Sequence, residues 1–437
     1  MKNFRIRPAI KVEGTVHLPG DKSISHRAAI LASLAQGQTT IHNFLFSQDC
    51  VHTLRCLEML GIRHERKEDT LVIHGKGFSG YHAPSSDLYM GNSGTSLRLL
   101  MGLLAGQSFK SRLTGDPSVS NRPMRRVMDP LRQMGALITA ERGDEYPPID
   151  IRGSMLKPIR YTLPVPSAQV KSAILLAGLF ADGETEIIQE IPSRDHTERM
   201  FAYLGLPIQI DGLHIRVAKG FPFQGKNIEV PRDLSSAAFF IGLGLIHPSA
   251  EIFIPGVGVN PTRSGMIEIL QKMGAQLEKR EEREVSGEPV ADIVIRSSRL
   301  SGTKINAEQI PATIDEAPIF AVIAALAMGD TEVRGALELR VKESDRIATI
   351  VDMLHSFGVG VEEYVDGVLI HGTKVLRGAE IDTHKDHRIA MASTIAGLVA
   401  KGETVIRDVE CVNTSFPGFV GAIQTVCGKE VIEVFEE

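Results

Sequence analysis

The chain has 437 residues, 43% hydrophobic and 23% charged, which is the balance of a soluble globular protein with more than one core. Its 48 Lys and Arg against 53 Asp and Glu leave a net charge of −5, which argues against a nucleic-acid or anionic-membrane surface. Any cationic site must be local. The four cysteines, Cys50, Cys56, Cys411 and Cys427, form no CxxC pair, so neither a disulfide framework nor a zinc ribbon is expected. The first residues, MKNFRIRPAIKVEG, lack the apolar stretch of a signal peptide, and the longest apolar runs, such as Ala237–Ile246, are too short to span a bilayer. The expectation is a cytoplasmic, monomeric protein with no membrane or nucleic-acid partner.

In chain order, six polar openings each lead into a small apolar helix, then a Gly-x-Thr-like turn and a strand. They are DKSISHRAAILASLAQGQTTI from Asp21, NSGTSLRLLMGLLAGQSF from Asn92, SAQVKSAILLAGLFADGETEI from Ser167, RDLSSAAFFIGLGLIHPSAEI from Arg232, TIDEAPIFAVIAALAMGDTEV from Thr313 and HKDHRIAMASTIAGLVAKGETVI from His384. The turns recur 65 to 81 residues apart, too far for a solenoid repeat. Between them lie second helices such as SQDCVHTLRCLEMLGI and KESDRIATIVDMLHSFGV, with one apolar stripe, Ser, Asp or Asn before the first turn and Gly after the last. Short alternating pairs such as DTLVIHG and DGVLIHG follow as strands. Each unit reads strand–helix–strand–helix–strand–strand. LPGDKS from Leu18 is echoed by VPRDLS from Val230, and three units follow each copy. This predicts a duplicated α/β (α+β) protein of two similar domains with crossovers near residues 20 and 232. One domain would be 1–20 plus 233–437, the other 21–232.

The openings carry the chemistry. A helix N-terminus offers free N–H groups and the positive end of a dipole, so it attracts anions. Lys22 and Ser23 would sit in the turn before the first helix, with Arg27 a turn further on. Gly94 would let a ligand approach the backbone, and Pro123 restrains Arg122. Ser167 and Gln169 are neutral donors, Arg194 a further cation, and Lys171 fits a surface residue somewhat better than a ligand contact. Asp315 and Glu316 read either as N-caps or as a general acid or base beside cations. Lys342, Glu343, Arg346 and Arg388 follow. His384 and His387 flank Asp386 with no further ligand to complete a metal site. Seven cations at motif positions in an acidic protein, Lys22, Arg27, Arg122, Arg194, Lys342, Arg346 and Arg388, call for substrates carrying several anionic groups.

LPGDKSISHR, NSGT, TGDPSVSNRPM, PVPSAQVKSA, SRDHTERM, IDEAP, RVKESDR and DHRIAMA together resemble the 3-phosphoshikimate 1-carboxyvinyltransferase (EPSP synthase) family, in its order and across nearly the whole chain. The resemblance implies an inside-out α/β barrel of the enolpyruvyl transferase type. Each domain would hold three βαβαββ units, with the active site in the cleft between domains. It implies transfer of the enolpyruvyl group of phosphoenolpyruvate to shikimate 3-phosphate in the shikimate pathway, with no metal or organic cofactor. By motif, Lys22, Ser23, Arg27, Ser167, Ala168, Gln169, Arg194, Asp315 and Lys342 would take shikimate 3-phosphate. Lys22, Gly94, Arg122, Gln169, Arg346 and Arg388 would take phosphoenolpyruvate. Asp315, Glu343 and Lys22 would be catalytic.

Ala168 stands where many members have Ser, Arg126 where others have Gly, and Thr414 where many have Lys. The family is the target of glyphosate, and these positions leave the response to it undecided. The fourth opening, VPRDLSS, shows no ligand contact and is expected to serve as a hinge. A rival, UDP-N-acetylglucosamine enolpyruvyl transferase, would need a Cys that Gly115–Met128 lacks. A non-catalytic sugar-phosphate-binding protein would not need Asp315, Glu343 and Lys22.

Overall fold

The structure is a computed structural model and describes residues 2–436. The chain forms two compact units. One takes in the chain up to Pro19, Pro231–Arg283 and the chain from Pro289 onward; the other takes in Gly20–Val230 and Glu284–Glu288. Each has its own apolar core.

Six four-stranded sheets are present among the described residues, three to a unit. One strand order repeats in them. Leu88–Tyr89 runs parallel to Lys110–Thr114, which pairs antiparallel with Tyr146–Arg152, and Leu137–Glu141 forms the far edge. The strand–helix–strand–helix–strand–strand expectation describes this sheet. Three sheets borrow a strand from a distant part of the chain. Val12–Thr15, the strand before the first opening, pairs parallel with Ala250–Gly258. Ile228–Glu229, the strand before the fourth opening, pairs parallel with Gln36–His42. Lys2–Ile6 lies between Thr404–Arg407 and Ile432–Glu436. The two strands that precede the echoed openings are thus exchanged, each completing the unit that its own helix does not join.

The opening helices are Lys22–Leu34, Gly94–Ala105, Ala168–Gly178, Leu234–Ile246, Ala317–Ala325 and His387–Val399. Being apolar on every face, they must be buried on every face. In Leu234–Ile246 only Ile246 is not buried. Within a unit they pack on one another, closely enough that a Cβ on Gly102 would lie 2.8 Å from the Ala173 Cα. A larger residue at 102 would force the Gly94–Ala105 and Ala168–Gly178 helices apart.

Five of the six are capped by a side chain, from Asp21, Ser93, Ser167, Asp233 and Asp386. The exception is Ala317–Ala325. Glu316 occupies its cap position without a side-chain cap bond, and a 3-10 turn, Ile314–Glu316, leads in.

The second helices depart from expectation at their starts. Arg125–Gln133 has Met124 at its cap, and neither Ser47, Asp195 nor Ser264 makes a cap bond; only Asp345 does so, at Arg346–Ser356. Packing of the apolar stripe, rather than capping, holds these helices. Their ends do follow the pattern. Gly205 closes His196–Leu204 with φ +75°, a left-handed conformation that L side chains resist.

Candidate active site

In the unit containing Lys22, three helix starts converge. Lys22 is the first residue of its helix rather than part of the turn before it, because Asp21 caps the helix by accepting from the Ile24 N–H at 2.9 Å. Lys22 Nζ lies 3.0 Å from Asp49 Oδ2. Arg27 is buried. Its guanidinium donates to the Ser23 carbonyl (2.9 Å), Ser172 Oγ (2.8 Å) and Thr197 Oγ1 (2.7 Å). Burial pulls its pKa down to about 10, against the raising charges of Glu198 and Asp21, so it stays protonated at neutral pH. Arg194 is close enough to add a repulsive charge.

Gln169 joins the next two openings. It accepts from Arg98 Nη1 at 2.5 Å and donates to Thr95 Oγ1 at 2.9 Å. Arg122 donates to Asn92 Oδ1 and Ser118 Oγ, both at 3.0 Å. Gly94, the first residue of its helix, faces both arginines: a Cβ there would stand 3.0 Å from Arg122 Nη1 and from Arg98 Nη1. Ser167 caps its helix, and Ala168 is the first helical residue. Glycine, two guanidiniums and a primary amide thus surround one small space at two helix N-termini, a setting suited to a phosphate or carboxylate.

In the other unit Asp315 is the centre. Its carboxylate lies 3.9 Å from Arg263 Nη1, 3.9 Å from Lys342 Nζ, 3.8 Å from Arg346 Nη1 and 3.9 Å from Arg388 Nη2. Arg388 also donates from Nη1 to the Asp315 carbonyl at 2.6 Å. Arg346 is 1% exposed; its Nε donates to Asp386 Oδ2 at 2.8 Å and its Nη2 to Glu343 Oε2 at 2.6 Å. Burial would lower the pKa of Arg346, but Asp386 and Glu343 outweigh burial and hold it above the ordinary arginine value. Asp386, whose burial alone would raise its pKa, is held below the usual carboxylate range by Arg346. A carboxylate beside four cations can accept a hydrogen bond from a bound hydroxyl. Those cations can in turn hold an anionic neighbour.

Lys171 is not at the surface. It is fully buried, with Nζ 2.6 Å from Glu198 Oε1 and bonded to Gln189 Oε1 and the Ser193 carbonyl. It braces the segment that carries Arg194. The fourth opening is part of the Asp315 cluster rather than outside it, since Ser235 bonds Arg263, Arg388 and Glu316. Sequence reasoning missed Ser235, Arg263, Arg98 and the part played by Glu316; Asp49 also went unremarked. Thr414 donates to the Cys411 carbonyl at 2.7 Å, in a turn whose Cys411 feels the charge of Asp386. Among the described residues no three His, Cys, Asp or Glu are grouped to hold a metal ion, His384 and His387 included. No helix among them is long and apolar enough to cross a membrane.

A family description for EPSP synthase (3-phosphoshikimate 1-carboxyvinyltransferase) matches residues 6–423. Two relatives carry the name 3-phosphoshikimate 1-carboxyvinyltransferase. One, from Desulfitobacterium hafniense (strain DSM 10664 / DCB-2), is 47% identical over 425 residues, covering 97% of this chain and 98% of the relative. The other, from Geobacter metallireducens, is 49% identical over 429 residues, covering 98% and 100%. A solved EPSP synthase from Acinetobacter baumannii superposes with a TM-score of 0.89 at 44% identity and full coverage of both chains. With the motifs, the fold and these likenesses in agreement, the chain belongs to the EPSP synthase family.

Proposed function

We propose that this protein transfers the enolpyruvyl group of phosphoenolpyruvate to the 5-hydroxyl of shikimate 3-phosphate, releasing phosphate. The observation that carries the reading is the Asp315 carboxylate, held within 4 Å of Arg263, Lys342, Arg346 and Arg388 at a helix start. Lys22, Ser23, Arg27, Ser167, Ala168, Gln169, Arg194, Asp315 and Lys342 take shikimate 3-phosphate; Arg27 acts mainly by fixing Ser23 and adding its charge. Lys22, Gly94, Arg122, Gln169, Arg346 and Arg388 take phosphoenolpyruvate.

Asp315 removes the 5-hydroxyl proton as that oxygen bonds to C2 of phosphoenolpyruvate, while Glu343 or Lys22 delivers a proton to C3. The tetrahedral ketal phosphate then loses a C3 proton and its C–O bond to phosphate. The cations stabilise charge on the phosphate in both steps. Glu343 Oε2 accepts from Arg346 Nη2 at 2.6 Å, which places it beside a proposed phosphoenolpyruvate contact. The proposed contacts lie in both units, so substitutions in either are expected to impair the reaction. The chemistry uses only proton transfer and electrostatic stabilisation by this chain's side chains. We also place the protein in the cytoplasm and propose that it is a monomer; light scattering of the purified protein tests the monomer.

The test is Asp315→Ala. Calorimetry is expected to find shikimate 3-phosphate still bound, with turnover reduced roughly 10²–10⁴-fold, the size of a lost general base. Near-parental turnover would remove Asp315 from the mechanism.

A further inference from the structure

Four buried side chains of one unit form a hydrogen-bonded chain that ends at the cap of the Gly94–Ala105 helix. His26 Nδ1 lies 2.8 Å from Thr53 Oγ1, Thr53 Oγ1 lies 2.7 Å from Ser96 Oγ, and Ser96 Oγ lies 2.7 Å from Ser93 Oγ. His26, Thr53 and Ser96 have no exposed surface, and Ser93 is 1% exposed. The chain ties together three helices, Lys22–Leu34, Gln48–Met59 and Gly94–Ala105.

A hydroxyl has one hydrogen to give, so one fixed bond sets the direction of the rest. Ser96 Oγ donates to Ser93 Oγ; the Asp49 carbonyl, its other acceptor, is 3.5 Å away. With that hydrogen committed, Thr53 must donate to Ser96. Thr53 then has no hydrogen left for His26, so His26 donates to Thr53 from Nδ1. Burial first, then the charges of Lys22 and Arg27, keep His26 neutral at neutral pH. Its single N–H is therefore at Nδ1, and Nε2 has no hydrogen-bond partner among the described residues.

At the far end Ser93 Oγ accepts twice, from Ser96 Oγ and from the Ser96 N–H at 3.1 Å. Both of its lone pairs are filled, which holds the capping side chain in one orientation. Gly94 is the first residue of the helix so capped. A Cβ there would stand 3.0 Å from Arg122 Nη1 and Arg98 Nη1, so a small shift of this helix start alters the space between backbone and guanidiniums.

We infer that His26, Thr53 and Ser96 are positioning residues for the phosphoenolpyruvate contact at Gly94: a one-way hydrogen-bond chain fixes Ser93, and with it the start of the Gly94–Ala105 helix. This rests on the proposed contact of Gly94 with phosphoenolpyruvate.

The test uses the full-length protein in T53V, T53S, S96A, S33A, G94A and the double variant T53V/S96A. Nitrogen-15 NMR reads the His26 ring, assigned by comparison with H26Q, and steady-state kinetics read both substrates. At neutral pH the parent and T53S should show a protonated Nδ1 and a bare Nε2. In T53V no acceptor faces Nδ1, and the ring should revert to the Nε2–H form. T53V keeps the shape of Thr53 without its hydroxyl, so KM for phosphoenolpyruvate should rise roughly 3–10-fold, the size of one lost buried hydrogen bond. KM for shikimate 3-phosphate should stay unchanged, and T53S should stay near the parent. S96A should act as T53V does, and T53V should add nothing to it in the double variant. S33A is the control: it removes a buried hydroxyl that bonds Tyr81 at 2.6 Å, in the same Lys22–Leu34 helix but outside the chain, and should destabilise without moving either KM.

An Nε2–H ring in the parent, parental KM for phosphoenolpyruvate in T53V and S96A, an equal rise in both KM values, or the same selective rise in S33A would overturn the inference. If G94A leaves KM for phosphoenolpyruvate at the parental value, the contact at Gly94 fails and takes the inference with it. If G94A raises that KM while T53V and S96A do not, the inference fails alone. Should T53V not fold, as judged by circular dichroism, S96A and the ring form of the parent decide.

Discussion

Gly94 has no Cβ because two guanidiniums already stand where one would press, 3.0 Å away. Both are ends of flexible side chains, so Gly94→Ala should fold normally but displace Arg122 and Arg98. The expected result is a several-fold rise in KM for phosphoenolpyruvate, with kcat much less affected; an unchanged KM would separate Gly94 from the ligand. Lys171 and Glu198 carry a buried ion pair with 0% and 1% side-chain exposure. Removing one partner strands the other, so Glu198→Gln should cost about 3–5 kcal/mol by denaturant unfolding. A loss below 1 kcal/mol would contradict the pair's role. His26 is fully buried, with Nδ1 2.8 Å from Thr53 Oγ1. Burial first, then the charges of Lys22 and Arg27, hold its pKa well below the usual 6.5. Below that pH the unfolded chain binds a proton that the folded one does not, so stability falls as pH drops. His26→Gln should therefore lose less stability between about pH 7.5 and 5.5 than the parent, measured by urea unfolding; equal losses would refute the assignment.

The opening helices were legible because apolar runs after Asp or Ser announce their own caps, and Asp21, Ser93, Ser167, Asp233 and Asp386 do cap them. Asp21→Ala should accordingly cost about 1–2 kcal/mol in thermal or urea unfolding. TIDEAP left cap and catalyst as open alternatives. In the structure the 3-10 turn leaves Glu316 without a cap bond and sets Asp315 within 4 Å of Arg263, Lys342, Arg346 and Arg388. The rest of that cluster was not legible. Ser235 meets Arg263, Glu316 and Arg388 across 28, 81 and 153 residues, and no local pattern encodes such separations. Lys171 misled for a similar reason: a lysine in the second turn of a helix reads as exposed until Glu198 is folded against it.

At the scale of the whole molecule, the duplicated motif LPGDKS and VPRDLS precedes two helices whose leading strands are exchanged, Val12–Thr15 with Ala250–Gly258 and Ile228–Glu229 with Gln36–His42. Sheet pairing across some 200 residues is set by topology, so the echo could be read in the sequence but the exchange could not. The two units each bring cations and helix N-termini to their own cluster, and the proposed reaction draws on both. The most direct measurement is phosphate release by the purified protein with each substrate alone and with both together. The account predicts release only when phosphoenolpyruvate and shikimate 3-phosphate are both present, one phosphate for each 5-enolpyruvylshikimate 3-phosphate formed. No release with that pair, but release when UDP-N-acetylglucosamine replaces shikimate 3-phosphate, would contradict it.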